Sequence, residues 1–135
     1  MKLEEPYSIA YQTVETATNI FLRVETDTSI TGYGCAAPEE QITGESVADV
    51  IKTLNDVIIP LSKNGDPLRP AHLLSRIKKQ LTFNPSALAA LDMALFDILG
   101  KTANLPLWKI LGGYRDRIRT SVTVGILPLE ETVAG

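Results

Sequence analysis

Few residues in this 135-residue chain are of the kinds on which covalent or metal chemistry usually depends: it holds one cysteine, one histidine and one tryptophan. A lone Cys35 cannot form an intrachain disulfide, which is compatible with a reducing cytoplasm. His72 has no second histidine and no cysteine cluster near it, so zinc-type ligand spacing is excluded. Charge of either sign is also sparse, with 13 basic against 16 acidic residues and a formal net charge of −3. The basic residues are scattered, which argues against a nucleic-acid surface and a polybasic membrane patch. No apolar run approaches the roughly 20 residues of a membrane span. The opening MKLEEPYS places acids and a proline where a secretory signal would carry its apolar stretch. The expectation is a soluble, cytoplasmic chain with neither nucleic acid nor membrane as a partner.

What is present is a globular composition, 44% hydrophobic and 21% charged, enough for one domain with a real core. The stretch from Asn84 to Gly113 organises it. Asn84 suits an N-cap and Pro85 the first helical position, where a missing N–H costs nothing. Leu88, Leu91, Leu95, Ile98 and Leu99 recur at three- and four-residue spacing along one face. Beside them Ala87, Ala90 and Ala94 form a strip of small residues that lets another element approach closely. Asn104 tolerates the left-handed conformation at the C-terminus, and Pro106 restarts a short run, Leu107 to Leu111, that Gly112 and Gly113 stop.

Upstream, Leu3 to Thr18 lacks periodicity, is polar and contains Pro6, and is read as a loop leading toward a strand. Asn19 to Thr26 alternates, with Ile20, Leu22 and Val24 on one face, and Asp27-Thr28-Ser29 is turn material. Ile30 to Ala37 returns as the second strand of a hairpin. In it Gly32 and Gly34 share a face, which implies that something packs directly on the backbone there. Pro38 to Gly44 reads as loop. Thr43 or Gly44 then caps a helix whose first turn carries Glu45 and Asp49, whose stripe is Val47, Val50, Ile51, Leu54, Val57 and Ile58, and which Pro60 ends. After a turn at Lys63–Pro67, Pro70 opens a helix with Leu73, Leu74, Ile77 and Leu81 on one face. Strands followed by helices make the fold class α+β. Beyond the organising stretch, Ile118 to Ile126 alternates as one more strand, and Leu129-Glu130-Glu131 looks like the first turn of a helix, the pattern of a first (β/α) barrel unit.

Most chemically suggestive residues have a plainer role. Asp92 and Asp97 diverge by roughly 140° around their helix and cannot face one substrate. Asp97 and Lys101 instead form an i,i+4 pair. Cys35 reads as a small packed side chain, His72 as a partly exposed helix residue, and Gly112-Gly113 lacks the spacing of a phosphate loop. Thr123 is a candidate of another kind. Its parity groups it with Ser121 and Gly125 against Val122, Val124 and Ile126, so it would face a barrel interior, where a packed position prefers branched apolar residues. By spacing alone, a substrate contact and a threonine that satisfies a neighbouring carbonyl are equally good readings.

ALAALDMALFDILGKTANLPLWKILGG closely resembles the segment that closes the N-terminal capping domain of the mandelate racemase and muconate-lactonizing enzymes of the enolase superfamily. KLEEPYSIAYQT, NIFLRVET, GYGCAAPEEQITGES and GGYRDRIRTSVTVGI look most like that superfamily's dipeptide epimerases. The resemblance implies an enolase N-terminal-like α+β capping domain over residues 1–116, lacking its first strand. It also implies that residues 117–135 are the first barrel strand and the start of the following helix, with the barrel truncated. A complete barrel takes roughly 250 residues. The implied reaction is Mg²⁺-assisted 1,1-proton transfer at the Cα of the second residue of an L,L-dipeptide, in a homo-oligomeric enzyme. Its two lysines and three acidic magnesium ligands belong to later barrel strands, so no catalytic or metal-binding residue is expected in this chain. Thr123 matches the family's dipeptide-binding threonine. Gln12 and Ile42 match positions in the two capping loops that meet the substrate. Cys35 stands where many members have glutamate, and Gln12 where some Ala-Glu-preferring members have arginine. The alternatives are the cap of a muconate- or succinylbenzoate-type cycloisomerase, or a non-catalytic α+β binding or dimerisation module.

Overall fold

The computed structural model describes residues 2–9, 12–121 and 130. The chain divides into two compact units, residues 19–113 and residues 1–18 with 114–135.

In the larger unit, β3 (Ile20–Glu25) and β4 (Thr31–Ala36) form the expected antiparallel hairpin, in register from Ile20 opposite Ala36 to Glu25 opposite Thr31. Ile20, Leu22 and Val24 are half-buried and their neighbours exposed, which fits the alternation of apolar residues. Against the inner face lies α5, Pro85–Ala103, with Ala87, Ala90, Leu91, Ala94, Leu95 and Ile98 buried. The alanine strip and the two glycines meet each other. A Cβ on Gly32 would stand 2.2 Å from the Ala94 carbonyl oxygen, and one on Gly34 1.8 Å from that of Ala90. Only residues without a side chain let the strand lie this close to the helix backbone.

A latch of polar groups closes the same interface at its edge. The Tyr33 amide donates to Asp97 Oδ2 at 2.9 Å, and Lys101 Nζ donates to that oxygen at 2.6 Å and to the Thr31 carbonyl at 2.7 Å. α5 ends as expected at Asn104, whose φ of 51° is left-handed. The amides of Asn104 and Leu105 bond back to the carbonyls of Lys101 and Gly100, a Schellman closure. The short α6, Leu107–Ile110, follows and stops at Gly112 and Gly113, both with positive φ.

The remaining helices cover the other side of α5. α4, Pro70–Lys78, buries Leu73 and Ile77, as the spacing predicts. The helix before it differs from expectation. Ser46, not Thr43 or Gly44, caps α2 (Val47–Thr53), with its Oγ accepting from the Asp49 amide at 3.1 Å. Pro60 does not end the helical run, which passes through a π-helical turn, Leu54–Ile58, into α3, Ile59–Ser62. The wide turn carries the chain past the proline, which lies in the first turn of the new segment and needs no donor there. Of the predicted stripe, Val50, Leu54 and Ile58 are buried, while Ile51 is exposed. The stretch Pro38–Gly44, read as loop, contains one helical turn, α1 (Glu40–Thr43).

The smaller unit contains a second correction. Leu3 to Thr18 is largely a hairpin, β1 (Lys2–Ile9) against β2 (Gln12–Thr16), with Ile9 opposite Gln12 and Tyr7 opposite Val14. Pro6 lies in the stretch between Lys2 and Tyr7 where the register is irregular, a place at which a strand tolerates proline. Thr13, Val14 and Thr16 supply strand propensity that the missing alternation had masked. Of the expected barrel strand, the described part, Ile118–Ser121, lies in no helix or strand, and residues 122–129 lie outside the described residues.

Candidate functional site

Ile42 is one of the three residues singled out as substrate contacts. It lies on α1 and is 70% exposed, which is unusual for an isoleucine and leaves its apolar surface free to meet something else. Gln12 opens β2 in the other compact unit. Thr123 lies outside the described residues.

The turn that carries Ile42 is closed on itself. The Thr43 hydroxyl donates to the Glu39 carbonyl at 2.9 Å and accepts from the Glu39 amide at 3.3 Å. Gly44 ends the turn at φ 71°, and its amide bonds to the Glu40 carbonyl at 3.1 Å. Glu45 comes next, and its role was not foreseen. It is not in the first turn of α2. It is 1% exposed, the one charged side chain buried among the described residues. Its Oε1 accepts from the Ser86 amide at 2.9 Å, and its Oε2 accepts from the Ser86 hydroxyl. A carboxylate in this position serves the N-terminus of α5, where free amides and the helix dipole favour negative charge. Asn84 leaves that task to it. Its φ of 69° is left-handed, and its side-chain amide donates instead to Thr53 Oγ1 at 2.6 Å. One signal in the sequence pointed this way: a long helix beginning Pro-Ser-Ala, with no acid in its first turn, needs a cap from elsewhere.

Away from Ile42, a groove of about 880 Å³ runs between β3, α3 and α5, with Leu22, Val24, Ile58, Leu73, Leu91 and Leu95 in its walls. Ile42 does not line it. No group of three or more His, Cys, Asp or Glu residues that could hold a metal ion occurs among the described residues. Nor is any helix among them long and apolar enough to cross a membrane.

The Mandelate racemase / muconate lactonizing enzyme, N-terminal domain, is matched over residues 1–112. The chain belongs to this family. Its α+β capping fold, hairpins followed by helices, agrees with that assignment. An L-Lys-D/L-Arg epimerase of Desulforapulum autotrophicum is 40% identical over 134 residues, 99% of this chain but 38% of that relative. The dipeptide epimerase of Enterococcus faecalis V583, solved with Mg and the dipeptide L-Leu-L-Tyr, superimposes with a TM-score of 0.87 at 32% identity, covering 98% of this chain and 37% of the other. A muconate lactonizing enzyme from Mucobacterium Smegmatis, complexed with muconolactone, gives 0.88 at 30% identity over 96% of this chain and 35% of the other. The chain thus spans under two-fifths of the length of each of these proteins.

Proposed function

We propose that this chain is the capping and substrate-specificity part of a dipeptide epimerase. The observation that carries this reading is the 40% identity, along 99% of the chain, to an epimerase of L-Lys-D/L-Arg dipeptides. The division is residues 1–116 for the cap and 117–135 for the start of a barrel. The reaction is 1,1-proton transfer at the Cα of the second residue of an L,L-dipeptide, in an isomerase that works as a homo-oligomer with Mg²⁺. Magnesium in that role would stabilise charge on the substrate carboxylate, and its ligands belong outside the residues described here. The chain's own contribution is to shape the pocket. Ile42 offers an apolar surface to a substrate side chain, Gln12 a polar contact from the hairpin, and Thr123 a hydrogen bond to the dipeptide. These interactions bear on which dipeptide is bound more than on how its proton is moved.

The muconate lactonizing enzyme, equally similar in backbone, favours a second reading as the cap of a cycloisomerase. Incubation of the complete enzyme with a panel of L,L-dipeptides in heavy water with Mg²⁺, followed by NMR, separates the two. Deuterium entering the second residue's Cα is expected. Absence of exchange from every dipeptide, together with turnover of a muconate, would replace the first reading with the second.

A further inference from the structure

Three consecutive residues, Gly44, Glu45 and Ser46, terminate or begin three different helices. Gly44 closes α1, Glu45 serves the start of α5 forty-one residues away, and Ser46 caps α2, its hydroxyl also donating to Asp49 Oδ2 at 2.6 Å. The turn before them is closed on itself through Thr43 and Glu39. None of its residues from Glu39 to Gly44 is buried, so packing does not hold it in place. A fully buried, doubly bonded carboxylate does so one residue beyond. Phe83, just ahead of α5, lies beside the turn: its ring tip is 3.4 Å from the place a Cβ on Gly44 would take.

From this geometry we infer that Glu45 is a positioning residue for Ile42. It fixes the Glu39–Gly44 turn to the N-terminus of α5 and so sets where the apolar side chain meets substrate. A carboxylate suits the task because its two oxygens receive the two Ser86 donors at once, and because burial beside a helix N-terminus makes leaving that seat costly. Glutamine keeps the length, one oxygen to accept from the Ser86 amide, and an NH₂ group that can donate to the Ser86 hydroxyl oxygen, so both bonds to Ser86 survive. Alanine keeps neither. The substrate-facing half of the inference rests on the reading of Ile42 given above, and the test separates the two halves.

Amide hydrogen exchange on the 135-residue chain measures the anchoring. Glu45→Ala is expected to speed exchange across residues 38–46 and the first turn of α5 on the order of tenfold, with the middle of α5 unchanged. Glu45→Gln should stay near the parent and thereby shows that a folded variant is being read. Uniform acceleration along α5, or none in residues 38–46, would overturn the anchoring. In the complete enzyme, Glu45→Ala should raise KM and reorder dipeptide preference in the same sense as Ile42→Ala, with a smaller change in kcat, and Glu45→Gln should restore the order. If Ile42→Ala reorders preference and Glu45→Ala does not, the positioning role is overturned. If local loosening occurs while neither variant affects any dipeptide, the role assigned to Ile42 is what fails, and with it the positioning of a substrate contact.

Discussion

Gly34 lies so close to Ala90 that a β-carbon added to the glycine would stand 1.8 Å from the alanine carbonyl oxygen, inside any possible contact distance. The obstacle is helix backbone, which no rotamer change can move. Gly34→Ala should therefore push β4 off α5 and cost about 3 kcal/mol or more, at or beyond the upper end of the usual penalty for overpacking by one methyl group. Tyr33→Ala, on the exposed side of the same strand, serves as the comparison. Urea melts that show the two variants equally stable would contradict this packing.

The latch of Asp97 predicts a pH dependence. Burial alone raises an aspartate's pKa and is the largest single effect here, but the Lys101 hydrogen bond, the Tyr33 amide and the Lys101 charge together outweigh it, so the carboxyl lies below its ordinary value. A folded-state pKa below the unfolded one means that the latch contributes its full stability above about pH 4, and that the contribution disappears as pH falls through the lower folded value. Asp97→Asn should accordingly destabilise the chain at pH 7 and make progressively less difference toward pH 2. A gap that is constant over that range would show that the charge of Asp97 is not what holds β4.

Leu91 is 1% exposed and Met93, two residues on, is 45% exposed. Truncating the first to alanine removes a core side chain and leaves a cavity, at about 2–5 kcal/mol. Met93→Ala should cost well under 1 kcal/mol, as for most exposed positions. Chemical denaturation of both variants tests which face of α5 is the core, and equal effects would reverse it.

The 135-residue chain by itself should epimerise no dipeptide. Taking a proton from carbon α to a carboxylate requires a base at that carbon and positive charge where the enolate develops. Lys101 is engaged by Asp97 and the Thr31 carbonyl, and Lys109 lies 5.5 Å from the centre of the Trp108 ring. Deuterium incorporation into a dipeptide by the purified chain with Mg²⁺, above a protein-free control, would place catalysis within this chain and overturn the expectation.

Much of this fold could be read from local pattern. The alternation of Ile20, Leu22 and Val24, the paired glycines, the alanine strip and the Asn104 stop each reflect a rule that acts within one or two turns of chain. The pattern could not say that the glycines and the alanines were made for each other, because that match spans some sixty residues, although both halves announced a close approach. Three features escaped for a similar reason. The first hairpin is held by backbone pairing, with an irregular register around Pro6, and its sequence has no alternation to detect. The wide turn before Pro60 buries Leu54 and Ile58, a demand of tertiary packing that a local pattern does not carry. Glu45 answers a need created by a helix forty-one residues later. Of the candidate site, sequence resemblance singled out Ile42, and the structure adds that its side chain is exposed; what holds the turn came from the geometry alone.

The π-helical turn has one more consequence, for the direction in which side chains point. Residues four apart on an α-helix advance by about 400°, so a stripe at Val50, Leu54 and Ile58 would wind steadily away from the core. An underwound turn between Leu54 and Ile58 takes that drift back and returns Ile58 to the line begun by Val50, and both are buried to within 1%. The wide turn thus acts as a phase correction that keeps Val50, Leu54 and Ile58 on one buried edge ahead of Pro60.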